Sequence, residues 1–161
     1  MVKVLLYNPI LTAALLGWLL AQVTKVVVYL VGERQLNLAR LFDTGGMPSS
    51  HTSLVVGLAS AIGLFDGFHS AAFAVACVLA IVVIYDATGI RKSAGDQAQA
   101  LNQIIPQLLS GKLLKNIDFK VFKELLGHNP LEVVIGFAYG VISGFLVYEY
   151  SLLIAWKPPA I

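Results

Sequence analysis

Long apolar runs separated by short polar clusters dominate this chain. A bilayer-spanning helix needs about 20 consecutive apolar residues, and four runs approach that length. The first, Pro9 to Val31, carries Gln22, Thr24 and Lys25 near its far end. It is predicted to be a retained membrane helix rather than a cleaved leader, because it runs past position 20 with no small-x-small site at its end. The second, Pro48 to Phe65, is short and opens with a proline expected at the first helical position. The third runs from Ser70 to about Ala87, and the fourth from Pro130 to Trp156. Between the last two, from Ser93 to about Leu114, Ala94, Ala98, Leu101, Ile105, Leu108 and Leu109 recur at helical spacing with glutamines and Asn102 between them. That pattern predicts an amphipathic helix, interfacial or packed on the bundle, kinked at Pro106.

These elements imply an all-α, polytopic bundle of about four membrane helices plus one amphipathic helix, in a single domain over residues 1–161. Three spans carry small residues at every fourth position: Ser53, Gly57, Ala61; then Ala72, Ala76, Ala80; then Gly136, Gly140, Gly144. Such stripes let helix backbones approach closely in lipid. They suit either packing within the chain or a homodimer seam.

Composition agrees with a lipid environment. Of the 161 residues 58% are hydrophobic and 12% charged, against about 25% charged in a soluble domain. The net charge of +2 gives no case for nucleic acid. The single Cys77 excludes an internal disulfide and reads as a small buried hydrophobe. Four alternating spans put both chain ends on one face and the loops after the first and third spans on the other. The loop face carries Arg34, Arg40, Arg91, Lys92, Lys112, Lys115, Lys120 and Lys123, the terminal face Lys3 and Lys157. The excess of basic residues predicts a cytoplasmic loop face, with both termini opposite.

Three polar clusters lie on that loop face. Gly45 to Thr52 opens the second span with two glycines, then Ser49, Ser50 and His51. Unpaired N–H groups at a helix start, with hydroxyls and an imidazole, form a phosphate cradle; a plain loop-to-helix junction accounts for the same residues. Asp86, Arg91 and Lys92 end the third span. An acid there needs a partner or a purpose, and an arginine fork matches phosphate oxygens; snorkelling side chains at lipid headgroups are the alternative. Ser93 and Asp96 form a cap-like pair. His128 and Glu132 flank the start of the fourth span, where Glu132 either caps the helix or orients the His128 ring. Lys25 either snorkels or, beside Gln22 on its helix, faces the interior. Two histidines, a carboxylate and several cations at one membrane surface suit an anionic ligand with an apolar tail.

The Pro48-Ser49-Ser50-His51 core, followed by His128, Glu132, Val133 and Gly136, resembles the type-2 phosphatidic acid phosphatase superfamily, which also contains the vanadium haloperoxidases. The phrases Gly-Gly-Met-Pro-Ser-Ser-His and Asp-Ala-Thr-Gly-Ile-Arg-Lys-Ser-Ala-Gly resemble its small divergent, YuiD-like branch. The resemblance implies a membrane phosphohydrolase, related to acid phosphatases, that acts on isoprenoid or glycerolipid phosphates without metal or cofactor. It implies a His128 nucleophile that becomes a phosphohistidine, a His51 acid that protonates the leaving oxygen, and a Glu132 that orients His128. Phosphate oxygens would be held by Lys25, Ser49, Ser50, Arg91 and Lys92, with Asp86 a further candidate. The chain departs from the superfamily pattern in its first and third motifs, has Glu132 where the pattern has Asp, and has fewer spans than the usual six. Position 32 is Gly and Arg34 lacks a following proline, and the Ser-Arg of the third motif falls on Val121 and Phe122. A non-catalytic lipid-phosphate binding or transport protein on the same scaffold is therefore the alternative.

Overall fold

The computed structural model describes residues 8–42, 45–110, 121–122 and 127–154. Among the described residues five α-helices follow one another: α1 (Pro9–Glu33), α2 (Ser50–Phe65), α3 (Ala71–Thr88), α4 (Ile90–Ser110) and α5 (Pro130–Leu153), with a 3₁₀ turn at Leu38–Phe42. Among the described residues there is no strand. Three helical runs, Pro9–Glu33, Ala71–Leu108 and Pro130–Leu153, are long and apolar enough to cross a membrane, and α2 is a shorter apolar helix. At about 1.5 Å per residue α2 spans about 24 Å, less than a hydrocarbon core of about 30 Å. The all-α membrane bundle with about four spans is the fold observed.

Side-chain caps set most helix starts. Asn8 accepts from Leu11 N ahead of Pro9, Ser49 from Thr52 N, and Ser70 from Phe73 N. The cap at Ser49 moves the start of α2: helix begins at Ser50, and Pro48 precedes the cap after a cis Met47–Pro48 bond. Pro48 is thus not the first helical residue. The amphipathic helix begins at Ile90, so Ser93 lies inside it and does not cap it with Asp96. The hydrogen-bond ladder passes through Gly89, whose N–H donates to Tyr85 O and whose carbonyl accepts from Ser93 N. Helix also continues through Pro106 to Ser110. The end of α5 is Leu153; Trp156, and the lysines at 3, 112, 115, 120, 123 and 157, lie outside the described residues.

The core is a three-helix unit of α1, α2 and α5, and α3 packs mainly on α2. Small residues make that unit. A Cβ on Gly136 would lie 2.5 Å from Ser49 O, one on Gly140 2.8 Å from Gly57 N, and one on Gly144 2.7 Å from the Ser60 Cβ. A Cβ on Gly17 would lie 2.9 Å from Ser53 O, and one on Gly57 3.1 Å from Ala13 O. The stripes on α2 and α5 therefore face each other, with α1 closing the third side. In lipid, where tails are as apolar as leucine, such backbone proximity supplies dispersion and interhelical hydrogen bonds. Ser53 Oγ donates to Gly136 O at 3.0 Å, and Thr24 and Tyr139 share a hydroxyl bond of 3.0 Å between α1 and α5. On α3, Ala76 and Ala80 are buried, but Ala72 is exposed, so only part of that stripe is used within the chain. Much of the rest of α3, including Val75, Val78, Ile81 and Val82, is exposed apolar surface.

Candidate functional site

The same close packing brings the polar clusters together. Ser49 N donates to Glu132 O at 3.0 Å, a backbone link between the starts of α2 and α5. His128 N donates to Ala87 O at 2.9 Å, which ties the approach to α5 onto the end of α3. Gly127 adopts φ 83, and a Cβ there would overlap the backbone of Arg91 and Lys92. Only glycine meets both demands, a left-handed conformation and direct backbone contact. Gly127→Ala is accordingly expected to push His128 out of register. Hydrogen–deuterium exchange should show the His128 amide exchanging about tenfold faster or more, as the loss of a net 1.4 kcal/mol would give.

The junction of α2, α3 and α5 encloses a cavity of about 100 Å³ lined by His51, Val83, Asp86, Ala87, Arg91, Gly127 and His128. Both imidazoles thus line one cavity. His128 is 3% exposed, and its Nδ1 lies 2.8 Å from Glu132 Oε2. Glu132 also accepts from Asn129 N at 3.3 Å. Its two alternatives are therefore both realised: one carboxylate caps α5 and orients the ring. In the tautomer that donates Nδ1–H to this carboxylate, Nε2 is the ring nitrogen left with a lone pair.

Arg91 and Asp86, which both line this cavity, form an ion pair, and the Arg91 side chain is half exposed. Asp86 is thus the partner of Arg91. The electrostatic neighbours of His51 are Arg91, His128, Lys25 and Asp86. Lys25 faces the interior: it is 5% exposed, and its Nζ donates to Ser50 Oγ at 3.2 Å. Lys25 and Ser50 stand behind the cavity wall rather than in it. Ser49 is fully buried and committed to the α2 cap, its Oγ accepting from Thr52 Oγ1 at 2.9 Å. Lys92 does not line the cavity either; its backbone meets Gly127.

Some positioning residues carry no motif signal. Asn102 on α4 brackets Phe122, its Nδ2 donating to Phe122 O and its Oδ1 accepting from Phe122 N, both at 2.9 Å. The side chain acts as a backbone clamp on the segment that leads to His128. Gln22 Nε2 donates to Leu41 O at 2.7 Å, fixing the 3₁₀ turn on α1. Neither pairing was visible in spacing, because each joins residues about 20 positions apart through folded geometry.

Comparison with known proteins now bears on this site. A family model described as the Divergent PAP2 family matches residues 6–143. The chain belongs to the Divergent PAP2 family. The match includes all three polar clusters, His51, Asp86 to Arg91, and His128 to Glu132. A similar relative is an uncharacterized membrane protein, YuiD, of Bacillus subtilis (strain 168), 36% identical over 146 residues that cover 86% of this chain and 92% of the relative. No solved structure matches the chain. Membership in the Divergent PAP2 family and the membrane-protein relative agree with the helical bundle, and together they describe a membrane protein of PAP2-like build.

Proposed function

We infer that the chain is a lipid-phosphate phosphohydrolase of the membrane, acting on the phosphate of an isoprenoid or glycerolipid through a phosphohistidine. The observation that carries this reading is the buried His128 held by Glu132 at 2.8 Å in a cavity that His51 and Arg91 also line. A nucleophile needs a fixed lone pair and an orienting partner, and a leaving oxygen needs a proton donor nearby. His128 Nε2 attacks phosphorus; the bond to the leaving oxygen breaks and that oxygen takes the His51 proton. Neutral His51 then removes a proton from water as the water attacks the phosphohistidine, which releases phosphate and restores both rings. Arg91 offers its guanidinium to the phosphoryl oxygens as negative charge spreads over them, and Lys25 adds positive charge from behind Ser50. A buried lysine in a membrane helix is a functional signal by its cost alone. The basic bias of the loop face supports a cytoplasmic site.

The absence of arginine at 121 and 122 favours a second reading, lipid-phosphate binding or transport without turnover. One experiment separates them. Purified protein in nanodiscs is offered a panel of isoprenyl and diacylglyceryl phosphates, with and without divalent cations, and free phosphate is measured. The hydrolase reading expects release from at least one lipid, blocked by vanadate and independent of added metal. Binding of the same lipids with no release would establish the second reading; a strict metal requirement would remove the phosphohistidine mechanism.

A further inference from the structure

A second cavity of different character adjoins the first. It has a volume of about 290 Å³ and lies between α2, α3 and α5. At one end are Val56, Ala80 and Ile84; Cys77 is in its wall; Phe68 and Phe73 line its other end. Phe68 and Phe73 meet edge to face at 5.2 Å there, with Phe68 64% exposed at the rim.

The two cavities are lined by consecutive residues of α3. Val56 and Ala80 belong to one packed cluster with Val83 and Ile84, and Val83 lines the polar cavity while Ile84 lines the apolar one. Along α2, Val56 is about 7.5 Å below His51, and along α3 the floor at Phe73 is about 16 Å below Ile84, by helix rise. That depth is about half the hydrocarbon core of a bilayer. An apolar cavity does not hold water, so within a membrane hydrocarbon fills it. Lipid tails are as apolar as the groove, so the hydrophobic effect does not choose the occupant. Position does. A ligand whose phosphate fills the polar cavity sets the first carbons of its own tail at the Val83–Ile84 wall, the mouth of the groove. Dispersion contacts along a groove that ends at Phe73 then distinguish tails that fit from those that fall short or overrun.

We propose that this groove is a slot for one hydrocarbon tail of the phosphate lipid, with the Phe68–Phe73 pair as its floor, so that binding selects tail length. The inference rests on the polar cavity being the phosphate site.

The chain's one cysteine is the reporter. The full chain in phosphatidylcholine nanodiscs is treated with N-ethylmaleimide, and Cys77 alkylation is followed by mass spectrometry. Alkyl phosphonates serve as ligands because their phosphorus–carbon bond resists hydrolysis. Hexadecylphosphonate at about ten times its dissociation constant is expected to slow alkylation about tenfold. Octylphosphonate and eicosylphosphonate should protect less, and hexadecanol and inorganic phosphate not at all. Phe73→Ala, which opens the floor, should raise protection by eicosylphosphonate to the hexadecyl level. Alkylation unchanged by every ligand, protection blind to tail length, or equal protection by hexadecanol would each overturn the slot. The two readings separate cleanly. Length-dependent protection in a protein that releases no phosphate keeps the slot and removes the hydrolase; phosphate release with Cys77 unprotected does the reverse.

Discussion

Replacing His128 with alanine is expected to abolish phosphate release while leaving the bundle folded. Removing a nucleophile that acts as a unit with its orienting and acid partners typically costs at least about a thousandfold in kcat. His128 sits at the helix approach, outside the α1–α2–α5 interface, so unfolding should change little. Glu132→Gln is a finer probe. It keeps an acceptor near Nδ1 but removes the charge that stabilises the developing imidazolium, and a loss of about a hundredfold or more is expected. A second readout ties the effect to chemistry: rapid quench of the wild type should trap an acid-labile, base-stable phosphoryl group on the protein, absent from His128→Ala. Equal release by wild type and His128→Ala would end the phosphohistidine mechanism.

Gly140→Leu should produce the largest loss of stability of any single change considered. A first side-chain carbon at this position would lie 2.7 Å from Val56 Cβ, 2.8 Å from Gly57 N and 2.9 Å from Ser53 O. Two of these are backbone atoms and cannot rotate away. The helices must separate, which forfeits the contact along both stripes and the Ser53–Gly136 hydrogen bond. Overpacking costs about 1–3 kcal/mol where side chains yield; here about 3 kcal/mol or more is expected. Thermal or denaturant unfolding in nanodiscs measures it, with Phe145→Ala as the control, since Phe145 is 52% exposed on the same helix and should change stability by about 0.5 kcal/mol or less. The change should also lower ligand binding, because the α2–α5 contact is what aligns His51 with His128. Wild-type stability in Gly140→Leu would show that the stripes do not hold the bundle.

Local chemistry made much of this protein legible before any fold was known. Four apolar runs, a proline helix start at Pro130 and small residues at every fourth position depend on neighbours a few positions away, and each led to an element of the fold, although Ala72 of the α3 stripe is exposed. Alternation of spans was enough to predict that His51, Asp86, Arg91 and His128 share one face. Where local signals competed, the sequence misled. Pro48 reads as a first helical residue, but Ser49 takes the cap and the helix starts after it. Ser93 reads as a cap, but continuous backbone hydrogen bonding through Gly89 leaves it inside α4.

By itself, then, the sequence determined that the chain belongs in lipid, where its spans lie and which polar residues meet at one surface, because hydropathy and periodicity act over a single helix. Only the tertiary structure decided which of those residues enclose a cavity and which merely support it. His51, Arg91 and His128 reach the cavity; Ser49 is consumed by a cap and Lys25 stands one residue behind, at Ser50. The small-residue stripes of α2 and α5 could be seen as adhesive surfaces but not as each other's partners. Pairing between distant segments is set by close contacts such as that of Ser49 N with Glu132 O at 3.0 Å, and no spacing along the chain encodes those.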